Sequence, residues 1–189
     1  MDNKEDAMAK RNDLLSPADQ KLFYDLHAKM IIGIELIKNK GNLDKVMASG
    51  INYLTVMQDT RSVIRDPALI DKVIKTGDIP GGRRGLSILR SWKGVKHDRF
   101  CIYRLTPDGT VFISEKGSVY LIKGLEQGYD DMKGSLPQWT ECTLFPFGEA
   151  IVCDGLMTST PKIKDPEVLN WLDEKYRDAV NNGRVYTFL

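Results

Sequence analysis

The chain has 189 residues, a formal net charge of +1, 42% hydrophobic side chains and 28% charged ones. That length can bury one mid-sized core without disulfide or metal staples. A near-neutral total excludes a global attraction for nucleic acid or an anionic membrane, so any such partner has to be met by a local patch.

No apolar run approaches the ~20 residues needed to span a bilayer, and the charged start Met1-Asp-Asn-Lys-Glu-Asp6 has no apolar signal region. Three cysteines, Cys101, Cys142 and Cys153, are odd in number, lack Cys-x-x-Cys spacing and fall inside apolar strand-like runs. Buried free thiols in a reducing, cytoplasmic setting are therefore expected.

Residues 1–15 mix charges with few large apolar side chains and read as a flexible tail. Ser16-Pro17-Ala18-Asp19 then starts a helix, with a capping hydroxyl, a proline that wastes no donor and an acid near the positive helix end. Leu22, Phe23, Leu26, Met30, Ile34 and Ile37 recur at helical spacing up to Gly41. Ile31, Ile32 and Leu36 widen that apolar surface, which predicts contact on two sides, with another helix or a second subunit.

Asn42 caps a second predicted helix carrying Leu43, Val46, Met47, Leu54 and Met57, with Ser49-Gly50 as either a place where another helix approaches closely or an internal weak point. Asp66-Pro67 starts a short third helix closed by Gly77, and Asp78-Ile-Pro-Gly-Gly82 is a loop. A fourth short helix follows, with Leu86, Leu89 and Trp92 as its buried face and Gly94 as terminator.

Three β segments are predicted at 99–105, 110–114 and 118–122, separated by Pro107-Asp108-Gly109 and Glu115-Lys116-Gly117. The acidic stretch from Gly124 to Gly134 can form a short helix with Leu125, Tyr129 and Met132 on one side. A hairpin follows, with strands 139–145 and 150–153 around Pro146-Phe147-Gly148-Glu149. Asp165-Pro166 opens a last amphipathic helix up to Gly183, and the apolar end Arg184–Leu189 is expected to dock as an edge strand or under a helix.

The fold class is thus α+β: N-terminal helices on a mainly antiparallel five-stranded sheet or partly open barrel, with a C-terminal helix. We expect one domain over 16–189, helical at 16–97, β-rich at 99–158, and with a C-terminal helix and tail at 165–189.

Chemical signals are sparse. His27 has no second ligand at helical metal spacing and reads as structural. His97 could face Cys101 or Asp98, but four residues along a strand separate side chains by ~13 Å, so a local Cys-His pair is not expected. Asp154-Gly155 is explained as turn chemistry, and no catalytic residue, cofactor or metal is assigned.

The strongest charge imbalance is Arg83 to Arg99, where Arg83, Arg84, Arg90, Lys93, Lys96 and Arg99 meet a single acid, Asp98. Two glycines before two arginines at a helix start could hold an anion, and the same cations could neutralise phosphates of a nucleic acid. The alternative is a loop with solvated arginines, and Trp92 sits at core spacing, away from a stacking role.

From Ser91-Trp92-Lys93 onward the order of features resembles a family of uncharacterised bacterial and archaeal proteins. The pieces that carry the likeness are Ser91-Trp92-Lys93, Gly124, Leu136-Pro137, Leu144-Phe-Pro-Phe147 and Cys153-Asp-Gly-Leu-Met157. Phe145, Cys153 and Met157 stand where that family has leucine, tyrosine and leucine. The cysteine-rich zinc-binding tail of some relatives is missing here, so the resemblance implies no metal and no activity, only that these segments belong to one module.

The reading that best fits a broad helical apolar surface without a catalytic constellation is a non-enzymatic cytoplasmic binding or regulatory module with a protein partner or a homo-oligomer. Nucleic-acid or phosphate-ligand binding through the basic stretch is the alternative. An enzyme whose site is assembled from distant residues is the third, marked by a pocket collecting His97, an acid and a cysteine.

Overall fold

The computed structural model describes residues 12–126, 128–158 and 160–189. Ser16 Oγ accepts the Asp19 backbone N–H, so helix α1 (Pro17–Lys38) starts as its cap predicts. Its end is closed by the Gly41 N–H donating to the Leu36 carbonyl at 2.8 Å, with Gly41 at a φ of 81°. The chain already docks before α1: Leu15 N–H donates to the Gly124 carbonyl at 2.9 Å, and Gly124 N–H to that of Asp13 at 2.8 Å. The earlier part of the expected tail lies outside the described residues.

The second predicted helix is two. Helix α2 (Leu43–Ser49) ends at Gly50, whose φ of 67° and ψ of 155° turn the chain out of helical geometry. Asn52 then accepts the Thr55 N–H and restarts it as α3 (Tyr53–Arg65). Helices α4 (Leu69–Ile74) and α5 (Gly82–Ser91) follow, α5 running into a 3-10 turn at Trp92–Gly94. The buried face of α5 is Gly85, Ile88 and Leu89, with Trp92 beyond them, whereas Leu86 is only half-buried.

The strands are β1 (Lys96–Thr106), β2 (Gly109–Ser114), β3 (Val119–Lys123), β4 (Gln138–Phe147), β5 (Ala150–Cys153) and β6 (Val185–Tyr186). Among the described residues six strands stand where five were expected, because the apolar C-terminal end pairs as β6 after helix α6 (Pro166–Asn181). The hairpin turn is also shorter: β4 keeps pairing through Pro146 and Phe147, leaving Gly148 and Glu149 as the two-residue connection. The acidic stretch forms a 3-10 turn at Asp130–Ser135.

The sheet is mixed but mainly antiparallel. Pairs β1–β2, β2–β3, β1–β4 and β4–β5 are antiparallel, while β3–β5 and β3–β6 are parallel. The pairings therefore return on themselves, from β1 through β2, β3, β5 and β4 back to β1. Because β2 takes one edge of β3, the other is shared, by β6 at Val119–Tyr120 and by β5 at Ile122–Lys123.

Strand alternation sorts side chains to two faces. Phe100, Ile102, Phe112, Ile122, Cys142, Leu144, Ile151 and Cys153 form an inner cluster. On the other face, Phe145, Phe147 and Val152 meet the helices through Phe23, Leu26, Leu89 and Trp92, and Trp92 Nε1 donates to the Pro146 carbonyl at 2.9 Å. Helix α6 covers the rest of that face with Leu172 and Ala179 over Cys101, Val111 and Ile113. Among the described residues no helix is long and apolar enough to cross a membrane.

Candidate functional site

Where the helical cover of the sheet thins out, a cleft forms between α3 and the sheet. Antiparallel pairing sets His97 of β1 opposite Thr143 of β4, and Glu141, two residues before Thr143, shares its face. Farther along β4 the same face carries Phe145 and Phe147 into the helical core, so Glu141 and Thr143 are its polar end. Helix α3 supplies Tyr53, Met57, Thr60 and Arg61, whose spacing of four, three and one puts them on one side of the helix. The turn after β5 supplies Asp154, Leu156 and Thr158, held by the Glu141 N–H donating to Thr158 Oγ1 at 3.0 Å. Together they line a cavity of about 50 Å3.

Glu141 Oε1 is the electrostatic hub. His97 Nε2 lies 2.8 Å from it and Arg61 Nη2 3.1 Å, while Arg61 Nη2 is 3.4 Å from His97 Nε2. The His97 hydrogen bond is the largest influence holding the Glu141 carboxyl below the usual carboxylate range, and Arg61 adds a smaller one. Behind it, His97 Nδ1 lies 3.0 Å from Thr143 Oγ1. With Nε2 carrying its proton toward Glu141, Nδ1 accepts from the threonine hydroxyl.

Asp154 is the opposite case. Burial pushes its carboxyl up to about 7, although its Oδ1 accepts the Leu156 N–H at 3.1 Å, which favours the ionised form. Thr60, on the α3 wall, is buried and its Oγ1 has no hydrogen-bond partner among the described residues.

The chain Glu141–His97–Thr143 has the order of an acid–imidazole–hydroxyl relay, yet Thr143 is buried within a strand. No cysteine lines the cleft. Cys101 lies under α6, its thiol pushed up to about 12 by burial, and Cys142 and Cys153 point into the inner cluster. All three are free and buried. Among the described residues no three His, Cys, Asp or Glu side chains are placed to hold a metal.

The basic stretch is spread over three elements. On α5, Arg83 and Arg90 are exposed and make no ion pair among the described residues, while Arg84 pairs with Asp19 at 2.6 Å. Lys93 pairs with Asp71 at 2.7 Å and Lys96 lies 5.4 Å from the Tyr120 ring centre. Arg99 pairs with Glu115 at 2.9 Å and lies over Trp139. His27 stacks on Phe23 and meets Trp92 and Phe145 edge-on, a structural position.

Sequence reasoning named His97 and Asp154 without joining them, and only the β1–β4 register brings Glu141 beside His97. Thr60, Arg61 and Thr143 carried no signal of their own. In the same region Leu43, Met47, Ile51, Tyr53 and Leu54 are all exposed, Met47 by 73% and Leu54 by 64%. The likeness to bacterial and archaeal proteins rests on its motifs: no family model, no curated protein and no solved structure matches this chain.

Proposed function

We propose that the protein is a non-enzymatic cytoplasmic binding or regulatory module that docks a protein on its α2–α3 shoulder, the occupant being a second copy of the chain. The observation that carries this is the clustering of exposed apolar side chains: five of the ten large ones among the described residues fall between Leu43 and Leu54. Patches of that kind mark interaction surfaces. Asp44 and Lys45, exposed beside the patch, carry opposite charges, so a two-fold axis passing close to them would set the acid of one copy near the base of the other. Three buried free thiols support a reducing compartment. The burial of Thr143 within strand β4 favours binding over nucleophilic catalysis.

Sedimentation velocity over a micromolar concentration series tests the reading. The chain should pass from monomer to dimer, and Met47→Glu with Leu54→Glu should keep it monomeric. A native chain that stays monomeric at every concentration overturns the self-association.

Nucleic-acid or phosphate-ligand binding has the support of Arg83 and Arg90, the exposed cations of α5 with no ion pair among the described residues. It requires binding that weakens steeply with salt and is lost on Arg83→Ala with Arg90→Ala.

A further inference from the structure

One end of the ring of strands opens into a second cavity, of about 440 Å3. Strand alternation turns Lys96 and Asp98 to the same inner face as Phe100 of β1, beside Ser114 at the end of β2 and Ser118 and Tyr120 at the start of β3. The inner cluster therefore passes from an apolar middle to a polar mouth. His97 shares the lining, but its ring nitrogens are turned to Glu141 and Thr143 in the α3 cleft.

Hydrogen-bond donors are in surplus at that mouth. Lys96 Nζ donates to Tyr120 Oη at 3.5 Å, which leaves the phenol's own proton without an acceptor among the described residues, although Tyr120 is only 5% exposed. Ser114 is in the same state: its Oγ accepts the Ser118 N–H at 3.1 Å and its proton goes to no described residue. Lys96 and Lys116 line the cavity with no ion pair among the described residues. The acid beside them, Asp98, already accepts the Arg99 N–H at 2.8 Å. Independently of the docking surface, we propose that this mouth binds the carboxylate of a small organic acid.

Charge, volume and floor agree on that class. Two lysines against one aspartate leave the mouth positive, and a carboxylate brings acceptors without donors to hydroxyls that have protons to give. Lys96 Nζ and Tyr120 Oη are close enough to donate to the two oxygens of one carboxylate, and Lys116 adds charge from the β2–β3 turn. Small-molecule sites usually enclose ~300–1,000 Å3 and are largely apolar. Ile64, Val95 and Phe100 supply that apolar surface for the carbon skeleton of the acid. A cation would meet both lysines, and a free phosphate would leave the apolar floor unused.

The test is an amide-resolved NMR titration of the full chain with sodium benzoate at neutral pH, constant ionic strength and one protein concentration. Benzyl alcohol, benzylammonium chloride and inorganic phosphate are the comparison probes. Benzoate should give saturable shifts at Lys96, Ser118 and Tyr120, and each comparison probe should bind about tenfold more weakly or not at all. Lys96→Met, which keeps the stem and removes the charge, should weaken benzoate by about tenfold. Tyr120→Phe, which keeps the ring and removes the hydroxyl, should weaken it several-fold. Lys21→Met, on exposed α1 surface outside the cavity lining, should leave it unchanged. Peak dispersion reports whether each variant is folded, and if Tyr120→Phe is not, the exposed Lys96→Met decides. The proposal is overturned if no shift saturates, if any comparison probe binds as tightly as benzoate, or if Lys96→Met binds benzoate like the native chain.

Discussion

His27 and Asp154 respond to acid in opposite directions. Burial among Phe23, Trp92 and Phe145 holds His27 down at about 4, against ~6.5 in an unfolded chain. Between those values the unfolded chain takes the proton and the folded one does not, so stability falls as pH drops from about 6.5 to 4, by roughly 3 kcal/mol at most. Asp154, raised to about 7, takes a proton while the unfolded aspartate is still ionised, so it adds stability of similar size as pH drops from about 7 to 4. The two largely offset each other in the native chain. Urea unfolding midpoints in neutral and mildly acidic buffer should therefore separate the variants: His27→Phe gains stability on acidification and Asp154→Asn loses it. Identical pH profiles for both would refute the assignment of opposite shifts.

Among the elements, α5 shows how a glycine-rich stretch can be structural. A Cβ on Gly85 would lie 1.7 Å from the Pro80 carbonyl oxygen, so the first turns of α5 rest directly on the loop before them. Gly85→Ala should cost about 3 kcal/mol or more, read as a lower urea midpoint, while Ser87→Ala on the exposed side should change it little. From sequence the neighbouring Gly81 and Gly82 could also be read as an anion cradle, because a need for flexibility and a need for close approach look alike in one dimension. The caps Ser16, Asn42 and Asp165 were legible, since each acts within three residues of its own helix. The break inside the second predicted helix was visible as Ser49-Gly50, but that Asn52 restarts the chain depends on the turn Gly50 makes.

For the whole molecule, the α+β order and the apolar strand segments could be read locally, whereas the closure of the pairings could not. The parallel pairing of β3 with β5 joins segments separated by the entire β4 hairpin arm, and no residue type announces it. The cleft was hidden for the same reason, because Arg61, His97, Glu141 and Asp154 come from four separate parts of the chain. His97 with Glu141 completes part of the constellation expected of an enzyme, and the missing cysteine is accounted for by strand alternation, which turns Cys142 inward between Glu141 and Thr143.

Strand β3 also carries the places where the described chain enters and leaves. Leu14 bridges to Gly124 at one end of β3, and Val185 and Tyr186 pair with Val119 and Tyr120 at the other. Mechanically, a pull applied through those two places loads β3 alone, and its short end pairings are the links that give first. The ladders β1–β2 and β1–β4 lie outside that line of force. Tension would peel both ends from the sheet while leaving the α3 cleft and the helical core assembled.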